Sequence, residues 1–386
     1  MKEQNVARGI AILGVLAIHL VEVNSAAGVR HEDSIVDSFS FILPMFFFLA
    51  GYTYRGGRKS IKLDYKNKVW SMFKYFFKYF TIIWALYSVE VLIKQEYTVI
   101  ECLKAYLTEF FIIPRTVLQE LLPGIYVSTT FHDIFIVTWF VWVFMESMLL
   151  LIPLERLTRK SVRDEVIVIL VTCLAAFLIY LPNWHLPFHM QIVPTITAVM
   201  LIAHLLCRIK IYDKIVAMKK PLGLIIMLVA FAVGFFVLYF VSVGYLSWGA
   251  LQIQYDPATD QNVVVTSVPI WLMAMAGMIL TPLPFTYFCR GIGKIPVVGD
   301  FLSYFGINSM DTMLLHVFIA FTLCNILPLK CARQLIGVSD ITTSDMVKCY
   351  ITFFITIVLC YLWPKLKMKL MKWNMNRKAK PKAANG

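Results

Sequence analysis

Two residues of the first apolar stretch have types and spacing that suit acid–base and anion chemistry. The segment ARGIAILGVLAIHLVEVN, residues 7–24, carries Arg8 near its start and His19 eleven positions later. On an α-helix, eleven residues return to within about 20° of the same face and rise roughly 16 Å. A guanidinium can hold a phosphate or carboxylate through two parallel hydrogen bonds. An imidazole can take a proton from a hydroxyl and return it near neutral pH. Glu22, one turn beyond His19, is placed either to orient the ring or to mark the membrane boundary. Plainer roles compete. Arg8 would serve equally as a snorkelling anchor that sets orientation, and His19 as a packing histidine bonded across helices.

Further polar groups sit in apolar surroundings, where a charge at mid-helix costs about 2.5–3.5 kcal/mol. In WFVWVFMES, Trp139 and Glu146 are seven apart and share a face. Glu146 suits a structural pair with an arginine or lysine as well as a catalytic role. In SYFGINSMDTMLLHVF, Ser309, Thr312 and His316 fall on one face, with Asn308 and Asp311 off that stripe. Such a stripe lines a cavity or bonds helix to helix. In FILPMFFFLAGYTY, Pro44 predicts a weakened, kinked helix and Gly51 a close helix approach.

These residues need helices in lipid to position them. The 386-residue chain is 59% hydrophobic and 15% charged, with a mean hydropathy of +0.73, far from the composition of a water-soluble domain. Ten segments approach the roughly 20 apolar residues of a span: 6–24, 38–54, 75–95, 133–153, 165–182, 190–207, 221–242, 267–288, 301–324 and 346–364. The first is expected to be retained, since no small-x-small cleavage site follows it. The expectation is an all-α polytopic bundle: one membrane domain over 1–364 and a basic cytoplasmic tail over 365–386. Residues 96–132, broken by Pro114 and Pro123, read as a re-entrant or interfacial element, and 243–266 as a polar loop.

Charge supports that count. With the N-terminus inside, alternate connections such as YRGGRKSIKLDYKNK, ERLTRKSVRDE and RIKIYDKIVAMKK, together with the tail, hold about 29 of the 36 Lys and Arg. Both termini are then cytoplasmic. The net charge of +13 is dispersed between spans rather than gathered on one soluble face, so no nucleic-acid partner is expected. The eight cysteines form no CxxC pair, and no metal site is expected. A disulfide between Cys324 and Cys331 in one external loop stays open.

Four pieces, in order, resemble the acyltransferase-3 family of membrane acyltransferases. RGIAILGVLAIH is similar to its first-helix motif, an Arg and a His separated by ten residues. PMFFFLAGY resembles its second-helix PlFFfiSGy, TWFVWVF the WFL segment of the fucose-type O-acetylase branch, and GINSMDTMLLH the late GknSlxiYllH segment. The resemblance spans Arg8 to about His316. It implies transfer of an acyl group, commonly acetyl, from cytoplasmic acyl-CoA to a hydroxyl of an extracytoplasmic glycan, a polysaccharide O-acetylation at the plasma (inner) membrane. It gives the essential roles to Arg8 and His19 and a supporting role to Ser309 and His316. No resident cofactor is implied; acyl-CoA is the donor substrate. The other partners are the hydroxyl acceptor and membrane lipid, with a homo-oligomer left open.

Two departures stand out. Arg55 and Arg58 have the family's R-x-x-R spacing but come early, and KNKVWSMFKYFF lacks the expected proline. Arg55, Arg58, Lys66 and Lys68 are therefore candidates both for the CoA phosphates, with Arg8, and for plain topology charges. Ala50 precedes Gly51, so no serine hydroxyl acts there. On the mechanism so implied, His19 is the general base and Ser309, Asn308 or His316 the oxyanion donor; a covalent acyl-histidine stays open. The rival is a transporter or flippase, which the same buried charges would suit.

Overall fold

The computed structural model describes residues 2–24, 41–56, 60–95, 97–111, 138–180, 190–244, 253–256, 261–264, 268–326 and 341–379. Nearly all of these residues are helical. The helices are α1 (Lys2–Asn24), α2 (Ile42–Thr53), α3 (Ile61–Ile93), α4 (Val99–Phe111), α5 (Thr138–Thr158), α6 (Val162–Tyr180), α7 (Val193–Arg208), α8 (Ile211–Ala217), α9 (Lys220–Gly244), α10 (Val268–Leu280), α11 (Pro282–Ile292), α12 (Val298–Ile307), α13 (Ser309–Ile326) and α14 (Ile341–Ala379). A helix falls on each of the ten apolar segments. Among the described residues, four are long and apolar enough by themselves to cross a membrane, or up to five if the bent pair α7 and α8 counts as one span. The fuller expectation of ten meets shorter helices, such as α2, and helices broken at Thr281 and Asn308.

Other departures are local. Pro44 lies in the first turn of α2, where its missing N–H removes no helical bond, so no kink follows. Within 96–132, Thr98 accepts from the Glu101 backbone N–H while its own N–H and hydroxyl donate to the Glu101 carboxylate, a capping box that starts α4. Pro114 and Pro123 lie outside the described residues. The stretch 243–266, expected as loop, holds an antiparallel hairpin with Ile253 opposite Val264 and Asp256 opposite Gln261. The helix over the last apolar segment does not stop at residue 364. It runs on through Pro364 to Ala379. Its 39 residues make about 58 Å of helix, nearly twice a bilayer's hydrocarbon thickness.

Packing centres on α1 and α2. α2 is buried on all sides, from Ile42 to Tyr52, as a helix apolar all round must be when it does not face lipid. Its Gly51 lies against the backbone of Met200 on α7, where a Cβ would collide. α1 makes its most extensive contact with α12. That contact is reciprocal: a Cβ on Gly9 would fall on the Leu302 carbonyl, and one on Gly306 would fall on the Asn5 carbonyl. In lipid there is no hydrophobic drive between helices, so backbone proximity through small residues supplies the association.

Gly306→Leu is accordingly expected to destabilise the protein by about 1–3 kcal/mol through overpacking. Gly291, whose Cβ would meet nothing within 4 Å, is the control. Gly291→Ala should leave the melting temperature in nanodiscs unchanged or slightly raised.

Candidate functional site

The α1–α12 apposition builds a cavity of about 470 Å³. α1 contributes Asn5 and Arg8, one turn apart. α2 contributes Phe46, Ala50 and Thr53, and α5 contributes Phe140, Phe144 and Met148 at four-residue spacing. Gly306 and Ile307 close α12, and Ser309, Met310 and Met313 open α13.

Arg8 is fixed by its Nη2, which donates to the Leu49 carbonyl at 3.2 Å and to Thr53 Oγ1 at 2.9 Å. Thr53 Oγ1 itself donates to the same carbonyl at 2.6 Å. The cation thus sits at the C-terminal turn of α2, where the helix dipole favours positive charge. Arg8 thus ties α1 to α2 and also lines the cavity. His19 and Glu22 lie on α1, and their side chains fall outside the described residues.

The predicted stripe on α13 divides. Ser309 lines the cavity. Thr312 Oγ1 instead donates to the Asn308 carbonyl at 3.3 Å, and fully buried His316 places Nδ1 2.9 Å from the Thr312 carbonyl. The polar residue that α13 brings to the cavity wall is thus Ser309, with Met310 and Met313 beside it. Asn308 occupies the turn between α12 and α13, its Nδ2 donating to the Tyr304 carbonyl at 2.8 Å. That amide is engaged in ending a helix. The Oε2 of Glu146 is buried with no hydrogen-bond partner among the described residues, and Glu146 is not among the cavity-lining residues. The ion pair with an arginine or lysine that its sequence position suggested is likewise not present among the described residues.

Beyond the end of α2 and on α3, Arg55 and Lys66 are exposed. Lys68 donates to the Arg55 carbonyl at 3.0 Å and stands 3.7 Å over the Tyr54 ring. Arg58 lies outside the described residues, as does Cys331. None of Arg55, Lys66 and Lys68 lines the cavity, although Arg55 follows Thr53 by two residues.

Sequence reasoning missed two polar assemblies. In the first, Glu165, fully buried, accepts from Arg208 Nη1 at 2.9 Å and meets His204 Nδ1 at 2.7 Å. Arg208 also reaches the carbonyls of Thr158 and Arg159 at the end of α5. In the second, Lys367 Nζ on α14 meets Asp311 Oδ1 and Oδ2 on α13 at 3.0 and 3.2 Å. The partners of each are tens of residues apart, so no local pattern pairs them. Their charges were legible only as topology signals or, for Asp311, as a residue off the stripe.

A membrane-embedded helical bundle with an arginine-lined cavity between its helices is the class that fold and site define. The comparisons make it specific. The family model described as an acyltransferase domain matches residues 2–363, and the chain belongs to that acyltransferase family. No curated protein and no solved structure matches the chain.

Breaking the first assembly should be costly. Arg208→Met leaves the Glu165 carboxylate buried without its cation and is expected to cost about 3 kcal/mol. Combining it with Glu165→Gln should recover part of that loss. Thermal or denaturant melts of the two variants in nanodiscs check both values.

Proposed function

We propose that the protein moves an acetyl group from cytoplasmic acetyl-CoA to a hydroxyl of an extracytoplasmic glycan. The observation that carries this reading is Arg8, held by α2 at a cavity between the helices; His19 follows eleven residues later in the same helix, a spacing that helical periodicity puts on one face roughly 16 Å along it. The Arg–His separation and the family membership support an acyltransferase. The acetyl donor and the glycan acceptor come from the resemblance to the O-acetylase branch.

In this reading the bundle has ten spans, with both termini cytoplasmic. Support comes from the charge bias of the loops and from a helix on every apolar segment. CoA is polyanionic and stays on the cytoplasmic side. Arg8, with the exposed Arg55 and Lys66, supplies positive charge there for its phosphates. His19 takes the proton of the acceptor hydroxyl as its oxygen attacks the thioester carbonyl carbon. A side chain of the α13 stripe, Ser309 on the cavity wall or His316 two turns along it, donates to the developing oxyanion. Collapse breaks the carbon–sulfur bond, the ester forms, and the proton held by His19 passes to the departing CoA thiolate.

The test is consumption of labelled acetyl-CoA by the purified protein in nanodiscs with a panel of glycan acceptors. His19→Ala is expected to lower turnover by about 10²–10⁴-fold with the melting temperature kept. Arg8→Ala should weaken acetyl-CoA binding about tenfold or more, the loss of a charge-assisted contact. A wild-type protein that binds and consumes no acyl-CoA, but exchanges solute across a bilayer, would overturn the reading in favour of a transporter.

Topology has its own check. Reporter fusions after Gly386 and after Asn24 should report cytoplasmic and external locations, respectively. An external C-terminus would sink the ten-span arrangement.

A further inference from the structure

The second assembly that the sequence did not reveal lies next to the cavity. Asp311 is one residue beyond Met310 and two beyond Ser309, both on the cavity wall. Its carboxylate is bracketed from two other helices. Lys367 Nζ of α14 donates to both oxygens, and Tyr79 of α3 donates to Oδ1 at 3.2 Å. Each partner is itself held. Lys367 Nζ donates to Tyr75 OH at 2.9 Å and stands 4.4 Å over that ring. Tyr79 OH accepts from Trp363 Nε1 at 2.7 Å.

A further bond joins α14 to the helix on the other side of the break, from Tyr304 OH to the Tyr361 carbonyl at 2.9 Å. Tyr304 is also the residue whose carbonyl accepts from Asn308. The break between α12 and α13, which starts the Ser309 wall, is therefore gripped by α14 on both sides. The side chains of Lys367 and Asp311 retain only 30% and 12% of their exposure, so water does not substitute readily for the contacts. Lys367 lies beyond residue 363, where the family match ends.

We infer that Lys367 is a positioning residue for the acyl transfer: through Asp311 it sets the placement of Ser309 and Met310 in the cavity wall, making α14 part of the site. The inference rests on the acyltransferase reading above. It needs no contact between Lys367 and substrate. Displacement of a catalytic group by 1 Å is worth about 100-fold in rate, so a network that holds the wall should register in turnover. Simple charge compensation makes a different forecast. Replacing both members of a buried pair by uncharged groups of similar shape commonly restores stability, and on that account it would restore activity too.

The experiment compares wild type, Lys367→Met, Lys367→Arg, and the double variant Asp311→Asn with Lys367→Met, all in nanodiscs. Melting temperature, acetyl-CoA Kd and turnover are measured on each. The expected result for the double variant is a melting temperature and Kd near wild type, with turnover lowered about tenfold or more. Lys367→Arg, which keeps the cation, should recover most of the turnover that Lys367→Met loses. If the double variant is as active as wild type, the pair only balances charge and the inference falls while the acyltransferase reading stands. The inference falls in the same way if turnover per folded molecule is unchanged in every variant. If wild-type protein neither binds nor turns over acetyl-CoA, both fall together.

Discussion

The close approach of α1 to α12 is the contact on which the rest of the site depends. It exists because neither Gly9 nor Gly306 carries a side chain where the other helix's backbone lies. With lipid on the outside, apolar surface gains little by leaving one hydrocarbon environment for another. Dispersion between closely apposed backbones must do more of the holding. That apposition puts Asn5 and Arg8 on one side of a cavity and Ser309 and Met310 on the other. α2 then closes the space, and its C-terminal turn receives the Arg8 guanidinium.

Charge is used twice in this molecule. The basic residues that bias the loops toward one side of the membrane also finish helices and join them. Arg208 terminates α5 and neutralises Glu165, Arg156 meets Asp64 at 2.6 Å, and Arg159 meets Glu155 at 2.8 Å. A cation at a helix C-terminus gains from the dipole as well as from the carboxylate. This double use matters in lipid, where an unpaired charge or carbonyl has no water to turn to. Such residues hold the helix ends, and they leave Arg55 and Lys66 exposed.

Much of the site was legible because its signals are local. Arg8 stood out as a charge at the start of an apolar run, Ser309 as part of a polar stripe, and Gly51 as a place of close approach; Arg8 and Ser309 line one cavity, and Gly51 lies against the backbone of Met200. The stripe itself was over-read. Helical periodicity places Ser309, Thr312 and His316 on one face, but which residues of that face reach the cavity depends on where the neighbouring helices lie. Thr312 Oγ1 and His316 Nδ1 turn to carbonyls four residues back in the chain. Pro44 was over-read for a similar reason, since a proline's effect depends on its distance from a helix start that composition does not mark.

By itself, then, the sequence determined a lipid-dissolved helical chain, the orientation bias of its loops, and a first helix with Arg8 and His19 on one face. These follow from hydropathy, charge placement and the 3.6-residue repeat, which act over a few turns. Tertiary structure alone decided that Gly9 and Gly306 bring α1 against α12, and that Asp311 belongs to Lys367, 56 residues away. It also decided that Glu165 belongs to Arg208, 43 residues away. Such pairings are properties of how helices cross, and the periodicity of any one helix does not contain them.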